Sequence, residues 1–189
     1  PLLGMVREGA TLHKDINISE HHGGGLTPCF TRAGFIKPHS VELIKNGAYR
    51  ECLANRRSAR EFDTAVNCGS EQPQSLYIAG GDLQQNDVYT ALDTGLYISN
   101  LWYCNFSDRN HCRITGMTRF ACLWVEQGEP VAPVNVMRFD ESIYHILGDQ
   151  LEALTREHEH ILDNASYGWR SDASARLPGA LVNDFTFTL

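Results

Sequence analysis

The class of the fold is legible in residues 96–137, LYISNLWYCNFSDRNHCRITGMTRFACLWVEQGEPVAPVNVM, where apolar runs alternate with turn-forming residues. The segments 96–104, 112–115, 119–125 and 131–137 are rich in Tyr, Ile, Trp, Phe, Thr and Val. Those side chains suit a pleated, half-buried surface. Gln127-Gly128-Glu129-Pro130 supplies a turn before the last segment. Successive strands joined by short turns predict a meander-like antiparallel sheet.

Upstream, residues 40–44 alternate in polarity and lead into Asn46-Gly47. That pair suits the two central positions of a type I′ turn, so 40–45 and 48–53 read as a hairpin. Asn55 caps a short helix over 56–61, with Ala59 and Phe62 facing inward and the arginines outward. Residues 75–79 form a short strand ending at Gly80-Gly81. A helix follows over 86–93, with Asn86 as its cap and Gly95 past its end. Downstream, Asp140 opens the most regular helical pattern in the chain. Ile143, Leu147, Leu151 and Leu154 recur at i, i+4, i+8 and i+11, one apolar stripe to lay on the sheet. Leu181, Phe185 and Phe187 suggest a final strand over 180–189. The expected class is α+β: mainly antiparallel sheet, sandwich- or barrel-like, with a few packing helices.

At 189 residues, with 42% hydrophobic and 21% charged residues, the chain can bury a core without metal or disulfide staples. It is expected to be a single domain over 1–189 and a fragment of a longer chain, since it starts at Pro1. No apolar run approaches the roughly 18 residues of a membrane span, so no membrane partner is expected. The first ten residues do not read as a signal peptide. A net charge of −7 argues against nucleic acid, which needs clustered Lys and Arg. The densest basic cluster, Arg56, Arg57 and Arg60, reads as a solvated helix face. Six cysteines at wide spacing, with no secretion signal, read as reduced, buried thiols in a cytoplasmic protein. Cys104 and Cys112 are the pair a hairpin could bring together.

No two of the eight histidines stand three, four or five positions apart, so a helical zinc-peptidase motif is absent. His158 and His160 diverge on a helix but share a face on a strand. His21 and His22, followed by Gly23, Gly24 and Gly25 and then Cys29, form a softer metal candidate or a plain surface loop. The three glycines suit a mobile lip or a close backbone approach, and they are the candidate substrate-binding residues. Asp140 and Glu141 suit the first turn of a helix. No Gly-x-Ser-x-Gly, Walker or Gly-x-Gly-x-x-Gly sequence is present. Thr115-Gly116 has no base beside it in sequence. Trp102, Tyr103 and Trp124 read as core aromatics.

The order of segments adds a resemblance. Leu26-Thr27-Pro28-Cys29-Phe30, the run from Ser40 to Gly47 and Asn55-Arg56-Arg57-Ser58-Ala59-Arg60 occur in that succession. Tyr77-Ile78-Ala79-Gly80-Gly81, Thr94-Gly95-Leu96-Tyr97-Ile98, Ile114-Thr115-Gly116 and the run from Ala121 to Val134 follow. Together they resemble the C-terminal half of the TldD/PmbA family, from about Gly4 onward. The resemblance implies a share in intracellular peptide hydrolysis or maturation. In that family the TldD subunit carries a zinc-binding His-Glu-x-x-x-His helix, just upstream of the matched region, and a later cysteine ligand. This chain has no such motif and no cysteine after Cys122. Residues 167–189 look more like PmbA, which lacks the zinc set, so no catalytic residue carries over. Zinc is expected only in a TldD-like partner or in sequence outside this chain. The implied partners are a TldD-like subunit or a second copy of the chain, with peptide as substrate. The alternative is a non-catalytic structural or regulatory binding module, in keeping with the family's gyrase-modulator label. Two departures stand out. Arg32-Ala33-Gly34 replaces the family's Asp-Glu-Gly, and Thr115-Gly116-Met117-Thr118-Arg119 replaces its Thr-Gly-Asp-Tyr-Ser.

Overall fold

Asn46 and Gly47 adopt φ of 50° and 73°, the left-handed values that a type I′ turn requires. They join β2 (Val41–Lys45) to β3 (Ala48–Tyr49) as the expected hairpin. The structure is a computed structural model describing residues 2–164 and 168–188. In it this hairpin forms one end of a six-stranded sheet. The order continues through β1 (Ile18–Glu20), β4 (Ser75–Ile78), β10 (Ser174–Val182) and β9 (Leu151–Leu162). Of its strand pairings only β4–β10 is parallel, beside an isolated parallel bridge from Leu83 to Thr155 of β9. The β4–β10 contact ends at Arg176, so Pro178 lies where β10 needs no N–H toward β4.

The second sheet has the order β11 (Phe187–Thr188), β8 (Arg138–Ser142), β6 (Arg113–Glu126), β5 (Gly95–Asp108), with β7 (Glu129–Pro133) also paired to β6. The two sheets are mainly antiparallel and neither closes into a barrel, so the expected α+β class holds and its barrel-like variant does not. Three short helices, α1 (Leu2–Glu8), α2 (Arg56–Glu61) and α3 (Val88–Leu92), decorate the sheets. A 3₁₀ turn over Gln85–Asp87 leads into α3. The side chain of Asn86 does not cap that helix. Asn55, in contrast, caps α2 as expected. The main core lies against the first sheet and includes Ile16, Val41, Ile44, Leu53, Leu151 and Leu154. Each such side chain contributes about 1.5–3 kcal/mol on burial.

The helix expected from Asp140 is not there. Residues 138–142 are β8, a π-helical turn spans His145–Asp149, and Leu151 begins β9. Three of the four apolar residues still reach the core: Leu151 and Leu154 are buried in it and Leu147 packs against it. The helical spacing of Leu151 and Leu154 comes from a β-bulge. Val182 pairs with Leu151 and Leu181 with Ala153, so β9 carries one extra residue there. That extra residue returns the side chain three positions on to the same face. Asp140 and Glu141 therefore belong to a strand, where Asp140 accepts from Arg113 Nε at 2.9 Å.

Other expectations also change. Segments 112–115 and 119–125 are one long strand, β6, which contains Phe120 at a positive φ of 62°. The final strand splits into β10 and β11, one in each sheet, and Leu189 lies outside the described residues. Phe62, Trp102 and Tyr103 are exposed rather than core. All six cysteines are free thiols, so Cys104 and Cys112 are not joined. Cys29, Cys52 and Cys104 are exposed rather than buried. Among the described residues no helix is long and apolar enough to cross a membrane.

Candidate functional site

Strand register builds a polar row across the first sheet. Ser19 of β1 pairs with Tyr77 of β4, Tyr77 with Arg176 of β10, and Arg176 with His160 of β9. Residues directly opposite one another share a face, and so do residues two apart on one strand. His158 therefore joins the row. Its ring stacks on Tyr77 with centroids 5.1 Å apart, and its Nε2 lies 2.9 Å from the Ile78 carbonyl oxygen. His21, just beyond β1, sets its ring edge-on to Tyr77 at 5.8 Å. His39 follows at 4.9 Å from His21. Four rings thus run in sequence: His39, His21, Tyr77, His158.

The glycine segment lies against this row. Gly23 N–H donates to the His39 carbonyl at 3.2 Å and Gly24 N–H to the His21 carbonyl at 3.0 Å. A Cβ on Gly23 would strike the His39 ring, on Gly24 the His21 ring, and on Gly25 the Ser75 hydroxyl. Close approach of backbone to side chain explains why glycine stands at all three positions. A small cleft is left between His21, Gly24, Gly25, Tyr77, Ser174 and Arg176. Ser75 also lines it, and its buried Oγ has no hydrogen-bond partner among the described residues. Burial lowers the His21 pKa first, and electrostatic interaction with His39, Arg176 and His22 lowers it further. At neutral pH the His21 ring is therefore a neutral donor and acceptor, suited to hydrogen bonding rather than to holding a proton.

Neighbouring residues point the other way. Glu20 and His22 are buried beneath the sheet, with His22 Nδ1 2.8 Å from the Pro38 carbonyl oxygen. Cys29 is exposed on the following loop. The set His21, His22 and Cys29 is thus divided between the two sides of the sheet. A metallopeptidase zinc needs three or four donors converging on one point. Among the described residues no three His, Cys, Asp or Glu side chains converge in that way. Among the described residues, then, the donors do not fit such a site.

Sequence reading brings forward His21, His158, His160 and the three glycines, and the fold gathers them on one side of one sheet. It misses His39, Tyr77 and Arg176. The last two lie 99 positions apart and meet only through the parallel β4–β10 register. A single sequence carries no signal for that register.

The sequence profile of the PmbA/TldA metallopeptidase C-terminal domain matches residues 12–189. The chain belongs to that family. Solved structures share the fold of this PmbA/TldA domain. TldE from Thermococcus kodakarensis superposes with a TM-score of 0.78 at 14% identity, covering 100% of this chain and 45% of that one. A Thermotoga maritima protein described as a modulator of a DNA gyrase gives 0.69 at 16% identity, covering 90% and 38%. A Bacteroides thetaiotaomicron protein with a similar description gives 0.64 at 13%, covering 90% and 37%. The chain therefore spans less than half the length of these relatives. No curated protein sequence matches it. At such identities the superpositions speak for the fold alone.

Proposed function

We propose that the chain is a PmbA-like, metal-free domain of a TldD/PmbA-type peptidase, acting in peptide hydrolysis or maturation in the cytoplasm. It is one domain of a longer polypeptide, and its task is to hold peptide for a zinc-bearing, TldD-like subunit. The observation that carries this reading is the family match over residues 12–189. β9 is the edge strand of the six-stranded sheet. Residues 81–83 cover it only at Leu154, Thr155 and Arg156, through bonds such as Arg156 N–H to the Leu83 carbonyl at 2.7 Å. From Glu157 to Leu162 its outer edge has no strand partner among the described residues. An extended peptide added there would pair main chain to main chain. It would lie beside His158 and His160, the end of the polar row. Gly23, Gly24 and Gly25 form the lip at the opposite end, their backbone packed against His39, His21 and Ser75.

The test mixes the purified chain with a TldD-type subunit that carries the His-Glu-x-x-x-His helix. Zinc content and peptide cleavage are followed in each component and in the mixture. The reading expects near-zero zinc in this chain and cleavage only in the mixture. Stoichiometric zinc in the chain alone would overturn it. Association without cleavage would favour a regulatory binding module.

A further inference from the structure

A larger cleft of about 770 Å³ shares no lining residue with the histidine row. Its size falls in the range of small-molecule sites. Its walls are the loop from Thr27 to Lys37, the start of α2 and residues 66–70. Phe35 and Val66 supply apolar surface. Lys37 lies in the wall and is only 5% exposed. Its ammonium donates to Gln74 Oε1 at 3.2 Å, a neutral partner. No carboxylate among the described residues pairs with it. Glu20, the nearest buried carboxylate in sequence to the Gln74 contact, accepts instead from the N–H groups of Gln74 and Ser75, each at 2.9 Å.

A buried cation is normally matched by an anion, because removing charge from water is costly. Here the surroundings add to the imbalance. Arg32 and Arg56 also line the cleft, as does Arg57, whose Nε lies 3.9 Å from the Glu61 carboxylate, and Asp172 is the one carboxylate among the lining residues. Burial first, and then the carboxylates of Glu20 and Glu71, push the Cys68 thiol up to about 11, so the thiol adds no negative charge of its own at neutral pH. This concentration of positive charge sits on a chain of net charge −7, so it is not part of a generally basic surface.

We propose that this cleft binds a small molecule through an oxyanion head, carboxylate or phosphate, with Lys37 as the buried anchor and Arg32 and Arg56 at the exposed rim. Charge-assisted hydrogen bonds from one ammonium and two guanidinium groups would hold the head, and Phe35 and Val66 would cover the ligand's body. The site is independent of peptide binding at the edge of β9.

The test is calorimetric titration of the full chain with inorganic phosphate and, separately, with succinate. Saturable binding of either is expected, and the one that binds identifies the head group. Lys37→Met should weaken it roughly tenfold or more, and Arg56→Gln severalfold. Arg60→Gln makes the same charge change on the same helix but outside the cleft, and should leave affinity unchanged. Should Lys37→Met fail to fold, the exposed pair Arg32→Gln and Arg56→Gln carries the test. Absence of saturable binding by both probes at millimolar concentration overturns the proposal. So does equal weakening by Arg60→Gln and Arg56→Gln.

Discussion

The ring of His22 and the carboxylate of Glu20 face each other beneath the six-stranded sheet, with Nε2 3.5 Å from Oε1 and each side chain 1% exposed. Glu20 Oε1 also accepts from the backbone N–H groups of Gln74 and Ser75, so one oxygen fixes the entry to β4. Removing one member of such a buried set leaves the other polar groups unmatched, at roughly 3–5 kcal/mol. Glu20→Leu is expected to lower the unfolding free energy by about 3 kcal/mol in urea titration. Glu20→Gln keeps an acceptor for both N–H groups and should lose less than half as much. Equal losses for the two variants would show that the hydrogen bonds into β4 do not matter.

Gly25 stands against Ser75 at the start of β4. Its missing Cβ is what lets the glycine segment lie on the sheet, since an added methyl would overlap both Oγ and Cβ of Ser75. Overpacking of this kind costs roughly 1–3 kcal/mol. Gly25→Ala should therefore destabilise the chain by about 2 kcal/mol. Ser75→Gly in the same background removes the overlapping atoms and should recover most of the loss. A double-mutant cycle measured by thermal unfolding reads the coupling directly. Additive effects would place the strain elsewhere.

The contrast between β2–β3 and β9 shows what the sequence carries. Asn46-Gly47 encodes its turn locally, through two residues that tolerate positive φ, and the hairpin is found where it is expected. Asn55 likewise encodes the start of α2 through a side-chain acceptor at the right offset. Leu151 and Leu154 are legible as core but not as strand, because a bulge at Glu152 gives them the spacing of a helix, while Leu147 lies in the π-helical turn before β9. The exposed aromatics of β5 mislead for another reason. Trp102 and Tyr103 have strand-forming side chains, and their exposure depends on whether another layer covers them. At the polar row, the histidines were visible as residues. Their meeting depends on pairings of β1, β4, β10 and β9 that are far apart in sequence, and Tyr77 and Arg176 were hidden for the same reason.

Asp108 and His111 close the tip of the β5–β6 hairpin, with His111 Nδ1 2.7 Å from Asp108 Oδ2. The hydrogen bond to Asp108 raises the His111 pKa above its usual 6.5, and the bond to His111 lowers Asp108 below its usual 3.8. The raised His111 value means its contribution is present below pH 6.5 and is lost as pH rises through the folded value. The lowered Asp108 value means its contribution is present above pH 3.8 and is lost as pH falls through the folded value. The contact is therefore strongest between those limits. His111 is exposed and Asp108 half-exposed, so solvent screens the pair and the readout is titration rather than stability. The His111 ring proton signal should titrate above pH 6.5 in nuclear magnetic resonance and return to about 6.5 in Asp108→Asn. A midpoint at or below 6.5 in the native chain would refute the contact.

Asn55 holds the wall of the larger cleft through the start of α2. Its side chain accepts from Arg57 N–H at 2.8 Å and Ser58 N–H at 3.1 Å, and Ser58 Oγ accepts from Asn55 N–H at 2.9 Å. This reciprocal box satisfies donors that a helix start otherwise leaves open. A helix of only six residues has little propagation to offset a lost cap. Asn55→Ala should therefore cost about 1 kcal/mol, seen as a Tm lower by about 2–4 °C, while Asn55→Ser keeps most of it. The same substitution should also weaken anion binding, since Arg56 is placed by the helix that Asn55 starts. Loss of stability with affinity unchanged would show that Arg56 reaches the cleft without the cap, and would separate the fold of α2 from the site it borders.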